Sequence, residues 1–205
     1  CNSTRGIFGG GHPGSGALNT LQYITIATLG NGADFGDLTS ARRDVNGVSS
    51  PTRGCWLGGT TDSSPYPDVN TIDYVEILTT GNAVDFGDLT EVKSNASATG
   101  NSTRAVVFGG ETPSVSSKID FFVFSSGGGA NNFGDMVEAR RGASSNASGN
   151  EIRGITAGGN PGSSPNTSDL IEFVTLATAG DATSFGDLLS KDTYLAALAS
   201  PTRII

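Results

Sequence analysis

The sequence predicts an all-β fold, a β-propeller with four-stranded blades, and three observations lead to this prediction. A turn arginine recurs every 48 to 51 residues and a Phe-Gly-Asp tripeptide every 47 to 52 residues, a period in the range of propeller blades. Each period holds four short strand-like runs and no helical pattern. Within each repeat the side chains are small in the first runs and larger in the last runs, as wedge-shaped sheets around an axis require. The turn arginines are Arg5, Arg53, Arg104, Arg153 and Arg203, and the tripeptides begin at Phe35, Phe86, Phe133 and Phe185.

The first two runs of each repeat suit the inner part of a blade. The first run is small and polar, which lets backbones approach closely near an axis. The second run is compact and apolar and ends in a glycine doublet. We predict first runs at residues 46–50, 94–98, 142–145 and 196–200. The second runs fall at residues 6–10, 54–59, 105–110 and 154–159, with doublets at Gly9-Gly10, Gly58-Gly59, Gly109-Gly110 and Gly158-Gly159.

The third and fourth runs supply the bulk of the core. The third alternates with period two and is rich in β-branched and aromatic residues, which is typical of a strand. The fourth surrounds the Phe-Gly-Asp tripeptide. The longest and most variable loop joins the second run to the third, and such loops are the freest to carry recognition. The third runs are residues 21–26, 72–77, 119–124 and 171–176, and the loops are residues 11–19, 60–70, 111–117 and 160–168.

The repeats predict one propeller domain over residues 1–205, with three blades at 40–90, 91–137 and 138–189. The first blade, 1–39, would be completed by a closing strand from 190–201. However, both chain ends carry the same hairpin turn of the repeat, so the sequence holds five such turns where four blades need four. Either the extra residues at the chain ends fray, or the chain belongs to a larger ring or to a multi-chain assembly. Because it lacks an initiating Met and a secretory signal, we expect a piece or a processed product.

Charge and composition exclude several partner classes. The net charge is −8, from 12 basic and 20 acidic residues, so we expect neither nucleic acid nor a membrane surface as a partner. No apolar run approaches membrane-spanning length. The chain has 30 glycines, but its apolar residues recur at fixed places, which argues against disorder. Cys1 and Cys55 occupy different places in the repeat, so we predict free thiols, with one long-range bridge as the alternative.

The order of a glycine-doublet strand, an alternating aromatic strand, a turn and a small strand resembles the kelch repeat over the whole chain. Phenylalanines stand where kelch repeats usually have Trp. The amino-acid sequence of residues 3–11, 23–28 and 32–42 is similar to that of kelch-like repeats in structural proteins of marine tailed phages, cyanophages among them. This resemblance implies a virion-surface or tail-associated module that binds host glycans or proteins. A purely structural scaffold docked on other virion proteins is the second hypothesis, and a homo-oligomer is compatible with both.

Basic residues open each inner strand, and in kelch propellers side chains near this place ring the mouth of the central channel. The resemblance therefore implies an arginine-lined mouth that grips a carboxylate, an acidic sugar or an acidic loop. The alternative is ion pairing with neighbouring Asp44, Glu91 and Glu138. The candidate binding residues are Arg42, Arg43, Lys93, Arg140 and Arg141, with a displaced Lys191 in the last repeat.

Other recurring residues are assigned structural roles. The turn arginines and the tripeptide phenylalanines recur so regularly that we predict packing or blade-to-blade hydrogen bonding. An Asp after Gly typically caps a turn by accepting a backbone N–H. A calcium site formed by Asp34 with Asp37, and likewise by Asp85 with Asp88, is the alternative, but Asn132 and Ser184 replace the first Asp in the later repeats. The recurring aspartates are Asp37, Asp88, Asp135 and Asp187.

No catalytic set is recognisable, so we expect a non-enzymatic protein without a metal or another cofactor. The only histidine, His12, lies in a glycine-rich loop, and two separated cysteines cannot complete a usual zinc or copper site. A carbohydrate-active enzyme is therefore the disfavoured third hypothesis. Within the variable loops, His12, Tyr66 and Asp68 are the candidate recognition residues. We expect the protein in the virion or outside the cell.

Overall fold

The computed structural model describes residues 4–143 and 148–197, and in these residues the fold is all-β with 17 strands and no helix. The described parts therefore also contain no helix that could span a bilayer. The strands form four antiparallel sheets that follow one another along the chain, and a small hairpin lies beside the third sheet. Within each sheet, neighbouring strands are consecutive in sequence apart from that hairpin.

The strands of the first two sheets coincide closely with the predicted runs. Sheet 1 contains β1 (Arg5–Gly9), β2 (Thr20–Thr25) and β3 (Ala33–Asp37). Sheet 2 contains β4 (Asn46–Ser49), β5 (Arg53–Leu57), β6 (Thr71–Glu76) and β7 (Val84–Asp88).

The last two sheets have the same meander order. Sheet 3 contains β8 (Ser97–Gly100), β9 (Arg104–Phe108), β12 (Lys118–Val123) and β13 (Asn131–Asp135). The separate hairpin pairs β10 (Glu111–Thr112) with β11 (Ser114–Val115). Sheet 4 contains β14 (Ser148–Gly149), β15 (Arg153–Ala157), β16 (Ser168–Thr175) and β17 (Thr183–Asp192).

Two details of the predicted inner runs were wrong. β8 begins later than the predicted run at 94–98, because the turn residue Asn95 has a positive φ of 51°. Residues 144–145 of the predicted run at 142–145 lie outside the described residues. The first glycine doublet is also displaced by one residue. Gly10 and Gly11, with φ of 69° and 105°, match the later doublets, and Gly9 belongs to β1.

The sheets pack against each other in chain order, and a hydrophobic cluster fills each of the three junctions. We call the side of a sheet that meets the next sheet its forward face, and the opposite side its rear face. At the junction of sheets 1 and 2, Leu21 and Phe35 on a forward face meet Trp56 and Val75 on a rear face. At the junction of sheets 2 and 3 the cluster includes Cys55, Leu57, Ile72, Phe86, Leu89, Ala98, Ala105, Val107, Phe122 and Phe124. At the junction of sheets 3 and 4 it includes Val106, Phe108, Ile119, Phe133, Met136, Val174, Leu176 and Ala182.

At the inner edge, the sheets touch through a series of backbone hydrogen bonds. Four residues, each nine positions after a tripeptide Phe, share a φ of 51° to 55°. Asn95 N–H donates to the carbonyl of Asp44 at 3.2 Å, Gly142 N–H to Asn95 at 2.9 Å, and Tyr194 N–H to Gly142 at 2.7 Å. Facing sheets normally lie about 10 Å apart. Direct backbone contact at this edge therefore joins the segments that follow the four sheets.

The glycine of the Phe-Gly-Asp tripeptide is explained by the next sheet. Gly36, Gly87 and Gly134 have φ of 142°, 130° and 156°, where side chains are strained. A Cβ on Gly134 would also lie 2.4 Å from the carbonyl oxygen of Gly180, in the loop that precedes β17. Gly186, in the last sheet, has a similar φ of 149° but no atom within 4 Å of its Cβ position.

We expect Gly134→Ala to destabilise the protein by about 1–3 kcal/mol more than Gly186→Ala, since only Gly134 faces the backbone of another sheet. Both substitutions introduce the same strain at positive φ, so Gly186→Ala is a matched control. Urea unfolding measures the difference. Equal losses for the two variants would show that the tripeptide glycine serves its own turn and not the junction.

The predicted closing strand does not form in the described part of the chain. Sheet 1 has three strands, residues 190–192 instead extend β17 along β16, and residues 193–197 form no strand. The remainder of the predicted segment, residues 198–201, lies outside the described residues. A cavity of about 310 Å³ lies beside β1, lined by Ile7, Gly47, Val48, Ser49, Gly54, Cys55 and Trp56. It borders the side of β1 on which the other sheets have their inner strand.

Candidate functional site

The basic residues predicted to line a mouth divide into two groups. Arg42, Lys93 and Arg140 are at most 1% exposed, so they cannot grip a ligand, and this part of the prediction was wrong. Arg43 and Arg141 have side chains that are 34% and 30% exposed. The first three residues follow the outer strand of one sheet and enter the junction with the next sheet, which explains their burial.

Arg42 shows the geometry of this buried contact. Its Nη2 lies 2.5 Å from Asp73 Oδ2, on β6 of the next sheet, and both side chains are fully buried. Its Nη1 donates to the carbonyls of Gly58 at 2.7 Å and Thr71 at 3.0 Å. The hydroxyl of Thr39 donates to the other carboxylate oxygen at 2.6 Å. One guanidinium thus joins the outer strand of sheet 1 to two strands of sheet 2.

The same contact recurs at the two later junctions. Lys93 Nζ lies 3.2 Å from Asp120 Oδ2 and donates to the carbonyl of Lys118 at 3.1 Å. Arg140 Nη2 lies 2.6 Å from Glu172 Oε1. Arg140 Nη1 donates to the carbonyls of Gly158 and Leu170, each at 2.7 Å. Cation and carboxylate therefore hold one place in the repeat, although their residue types vary.

Burial governs the electrostatics of these pairs. Desolvation lowers the pKa of Arg42 and Arg140 from its ordinary value, against the opposing pull of Asp73 and Glu172. Desolvation likewise raises the pKa of Glu172, although Arg140 counteracts it. Buried ion pairs of this kind gain little net stability over apolar residues, but removing one partner is costly. In this structure each pair joins the segment after one sheet to the third strand of the next.

Arg43 and Arg141 form the partly exposed pairs expected of surface residues. Arg43 contacts Asp44 at 2.9 Å and Asp62 at 3.4 Å. Arg141, in the segment between sheets 3 and 4, pairs with Glu111 of the hairpin that follows β9. The predicted alternative of local ion pairing therefore describes Arg43, whose partner Asp44 is adjacent in sequence, and the predicted partner Glu91 lies 3.7 Å from Lys93. The predicted partner Glu138 lies 3.9 Å from Arg140 but is secondary to Glu172.

The turn arginines bridge sheets as well. Each guanidinium lies 4.5 to 4.6 Å from the centre of an aromatic ring on its own sheet, which is cation–π geometry. The first three also donate to a carbonyl at the end of the third strand of the next sheet. These bonds are Arg5 to Ile77 at 3.1 Å, Arg53 to Phe124 at 2.5 Å and Arg104 to Leu176 at 2.7 Å. Arg153 stacks on Phe173 but has no such carbonyl among the described residues, and Arg203 lies outside them.

The tripeptide aspartates contribute mainly through their backbone. The carbonyls of Asp37, Asp88 and Asp135 each accept an N–H from the loop before the outer strand of the next sheet. The carboxylate of Asp135 accepts from Ser117 Oγ at 3.1 Å, and none of the described hydrogen bonds shows the predicted turn cap. A turn cap is formed instead by Asp85, three residues before Asp88, whose carboxylate accepts the N–H of Gly87 at 2.8 Å. The exposed Asp187 faces no further sheet in the described chain.

The variable loops meet along one edge of the sheets, which we call the loop edge (residues 11–19, 60–70, 111–117 and 160–168). Ala17 N–H donates to the carboxylate of Asp62, so the first two loops touch. A Cβ on Gly162 would lie 3.1 Å from a Val115 methyl, so the last two loops touch as well. The loop edge thus holds two pairs of touching loops, the first with the second and the third with the fourth.

The candidate recognition residues differ in their availability on this edge. Tyr66 is 57% exposed with φ of 62°, and His12 is exposed and accepts the N–H of Gly14 at 3.2 Å. Asp68 is half-buried and accepts the hydroxyl of Thr60 at 2.7 Å, which fixes its loop. Tyr66 and His12 are therefore free to meet a ligand, whereas Asp68 positions the loop.

Cys55 is a free thiol that lines the cavity beside β1 and is 1% exposed. Burial raises its pKa to about 12, so the thiol is protonated at neutral pH. A thiol of this kind is a poor nucleophile and not a catalytic group. Cys1, the other cysteine, lies outside the described residues.

We expect Cys55 to react with a thiol reagent only when the protein unfolds. The experiment uses a Cys1→Ser chain, in which Cys55 is the only thiol, and follows labelling in buffer and in urea. Labelling in buffer should be at least about tenfold slower than in urea, because the thiolate is rare and shielded. Rapid labelling in buffer would contradict the burial of Cys55 in the cluster between sheets 2 and 3.

No group of three or more His, Cys, Asp or Glu side chains within the described residues could hold a metal ion. The strongest ionic contacts are used between sheets, and the remaining polar residues of the loop edge are scattered. A scan against protein-family models finds no match for this chain. A search of curated proteins finds no similar one either.

Proposed function

We propose that this chain is a non-enzymatic binding module with the architecture of a β-propeller and kelch-like blades, acting on a virion surface or tail. Each sheet is one blade, and the loop edge is the surface that binds a glycan or protein of the host. The order of strand-like runs resembles that of kelch repeats, and the repeat sequences resemble those of phage structural proteins. These two resemblances support the proposal of a virion-associated module.

The taper of the sheets supports the propeller architecture. The backbone bonds that join Asp44, Asn95, Gly142 and Tyr194 bring equivalent residues together at one edge. Farther out, bulky side chains such as Phe86 and Phe122 hold neighbouring sheets apart, with ring centres separated by 5.1 Å. A sheet that is thin on one side and thick on the other is a wedge, and wedges in series turn around an axis.

The observation that carries the binding role is the contrast between framework and loops. Junction contacts recur with the same geometry three times, whereas the loops differ in length and sequence from repeat to repeat. Loops supported by a rigid framework are where recognition residues usually lie. Exposed Tyr66 and His12 on this edge supply an aromatic face and a hydrogen-bonding ring for a neutral or weakly charged ligand.

A glycan array and a pull-down from cyanobacterial cells test this function. The natural chain should bind, and Tyr66→Ala combined with His12→Ala should weaken binding at least about tenfold, as loss of an aromatic anchor does. Leu78→Ala is the control, because Leu78 is 63% exposed on the opposite edge. Binding that survives the loop substitutions would overturn the role of the loop edge. Turnover of a glycan would overturn the non-enzymatic assignment.

A structural scaffold remains the second candidate because the outer faces of sheets 1 and 4 are uncovered. Phe8 and Phe185, one on each of these faces, are 61% and 55% exposed. Large exposed apolar side chains on one surface typically mark a protein contact. If the chain binds neither on the glycan array nor in the pull-down, this candidate is favoured.

A further inference from the structure

We infer that the forward face of sheet 4 binds the rear face of sheet 1 on a second copy of this chain, so that copies assemble head to tail. This self-association is independent of ligand binding at the loop edge. The three internal junctions show which residues of a forward face pack against which residues of a rear face. The forward face of sheet 4 and the rear face of sheet 1 carry the equivalent residues, but no sheet of the described chain covers them.

The forward face of sheet 4 has the residues of a junction but no cover. Phe35, Phe86 and Phe133 are 2% to 4% exposed because the next sheet covers them. Phe185 holds the same position, packs edge-to-face against Phe173 with ring centres 6.0 Å apart, and is 55% exposed. The partner-facing apolar surface is therefore present in the fourth repeat as well.

The rear face of sheet 1 is the complementary half. Phe8 and Ile26 are 61% and 54% exposed, whereas their equivalents in sheet 2, Trp56 and Ile77, are 7% and 0% exposed. Trp56 is buried by the forward face of the preceding sheet. Phe8 would enter the same environment if a forward face of this type covered sheet 1.

Polar groups at the two ends match in the same way. Asn82 Oδ1 accepts the N–H of Asp37 at 3.1 Å across the first junction, and Asn31 holds the place of Asn82 in sheet 1. The Cβ position of Gly186 is open, whereas that of Gly36 is occupied by the loop of the next sheet. An incoming loop with Asn31 fits against Gly186 as the loop with Asn82 fits against Gly36.

The two faces do not cover each other within one chain. None of the hydrophobic clusters in the described residues contains members of both sheet 1 and sheet 4. The described backbone hydrogen bonds likewise join sheet 4 to sheet 3 but not to sheet 1. The occupant with the required shape and hydrogen-bonding pattern is a sheet of this repeat, and a second copy supplies one.

One substitution makes the end junction weaker than the internal ones. Asp192 takes the place of the buried cation, since its carbonyl accepts Gly159 N–H at 2.8 Å as that of Arg140 accepts Gly110 N–H at 2.9 Å. Gln22 takes the place of the carboxylate. A carboxylate facing an amide lacks the charge balance of the internal pairs, so we expect reversible association.

Sedimentation over a range of concentrations tests the inference. The mass of the natural chain should rise from one copy towards two or more. Phe185→Asp, at an exposed position, should stay a single copy with an unchanged melting temperature measured at dilution. Asp192→Arg combined with Gln22→Glu recreates the pair of Arg140 and Glu172 and should tighten association about tenfold or more.

Two results would overturn the inference. The first is a single copy at every concentration up to the solubility limit for both the natural chain and the Asp192→Arg, Gln22→Glu chain. The second is association that Phe185→Asp leaves intact, since the interface would then lie elsewhere. Neither result bears on glycan binding at the loop edge, so the two proposals fail independently.

Discussion

Replacing Arg140 with Met should destabilise the protein by about 3–5 kcal/mol, the largest loss we expect from a single polar side chain. The substitution leaves Glu172, which is fully buried, without its charge partner 2.6 Å away. It also leaves the carbonyls of Gly158 and Leu170 without a side-chain donor. Methionine fills most of the volume, so the loss reports the unpaired carboxylate. Urea unfolding followed by circular dichroism measures it.

The neighbouring residue provides the matched control. Arg141→Met removes a guanidinium whose side chain is 30% exposed, and a surface ion pair contributes about 0–1 kcal/mol. Combining Arg140→Met with Glu172→Leu should recover a large part of the loss, because no buried charge then remains unpaired. Similar losses for Arg140→Met and Arg141→Met would contradict a buried ion pair between Arg140 and Glu172.

Replacing Phe86 with Ala should destabilise the protein by about 3–5 kcal/mol, as removal of a buried aromatic ring does. Phe86 is 4% exposed and lies in the junction of sheets 2 and 3. Its ring packs edge-on to Tyr74, with centres 5.8 Å apart, and against Phe122 of the next sheet at 5.1 Å. The cavity left by alanine would therefore separate two sheets, and thermal and urea unfolding both measure the effect.

Phe185→Ala is the control for this substitution, since the two residues occupy the same position in the repeat. Phe185 is 55% exposed and contacts only its own sheet through Phe173. At a dilution where the chain is a single copy, its truncation should lower the free energy of unfolding by no more than about 1 kcal/mol. A loss equal to that of Phe86→Ala would mean that sheet 4 is covered within one chain.

The all-β fold and the order of strands could be predicted because the repeat contains its own evidence. Alternating residues such as those of β6 and β12 identify a strand in any context, and a fifty-residue period repeats that signal four times. The inner strands were placed less well. Their small polar residues carry little periodicity, and the turn at Asn95 or Gly142 is set by contact with the preceding sheet.

The buried cations were misassigned because sequence neighbours suggested the wrong partners. Arg42 pairs with Asp73, and Arg140 with Glu172, each more than thirty residues away. A signal was present: Asp73, Asp120 and Glu172 stand at the same position of the third strand, among the β-branched and aromatic residues of its central part. A charged residue at such a position requires a buried partner. The loop edge could be predicted only as a set of loops, because contacts such as Ala17 with Asp62 depend on the packing of sheets.

Amide hydrogen exchange resolved by NMR tests most directly whether the four repeats are joined in series at the inner edge. The relevant amides are those of Asp44, Asn95, Gly142 and Tyr194, measured at a dilution where the chain is a single copy. Asn95 and Gly142 donate to the preceding repeat at 3.2 Å and 2.9 Å, so they should exchange at least about a hundredfold more slowly than Asp44, whose N–H donates none of the described hydrogen bonds. Exchange of Asn95 and Gly142 as fast as that of Asp44 would contradict the serial packing of the sheets.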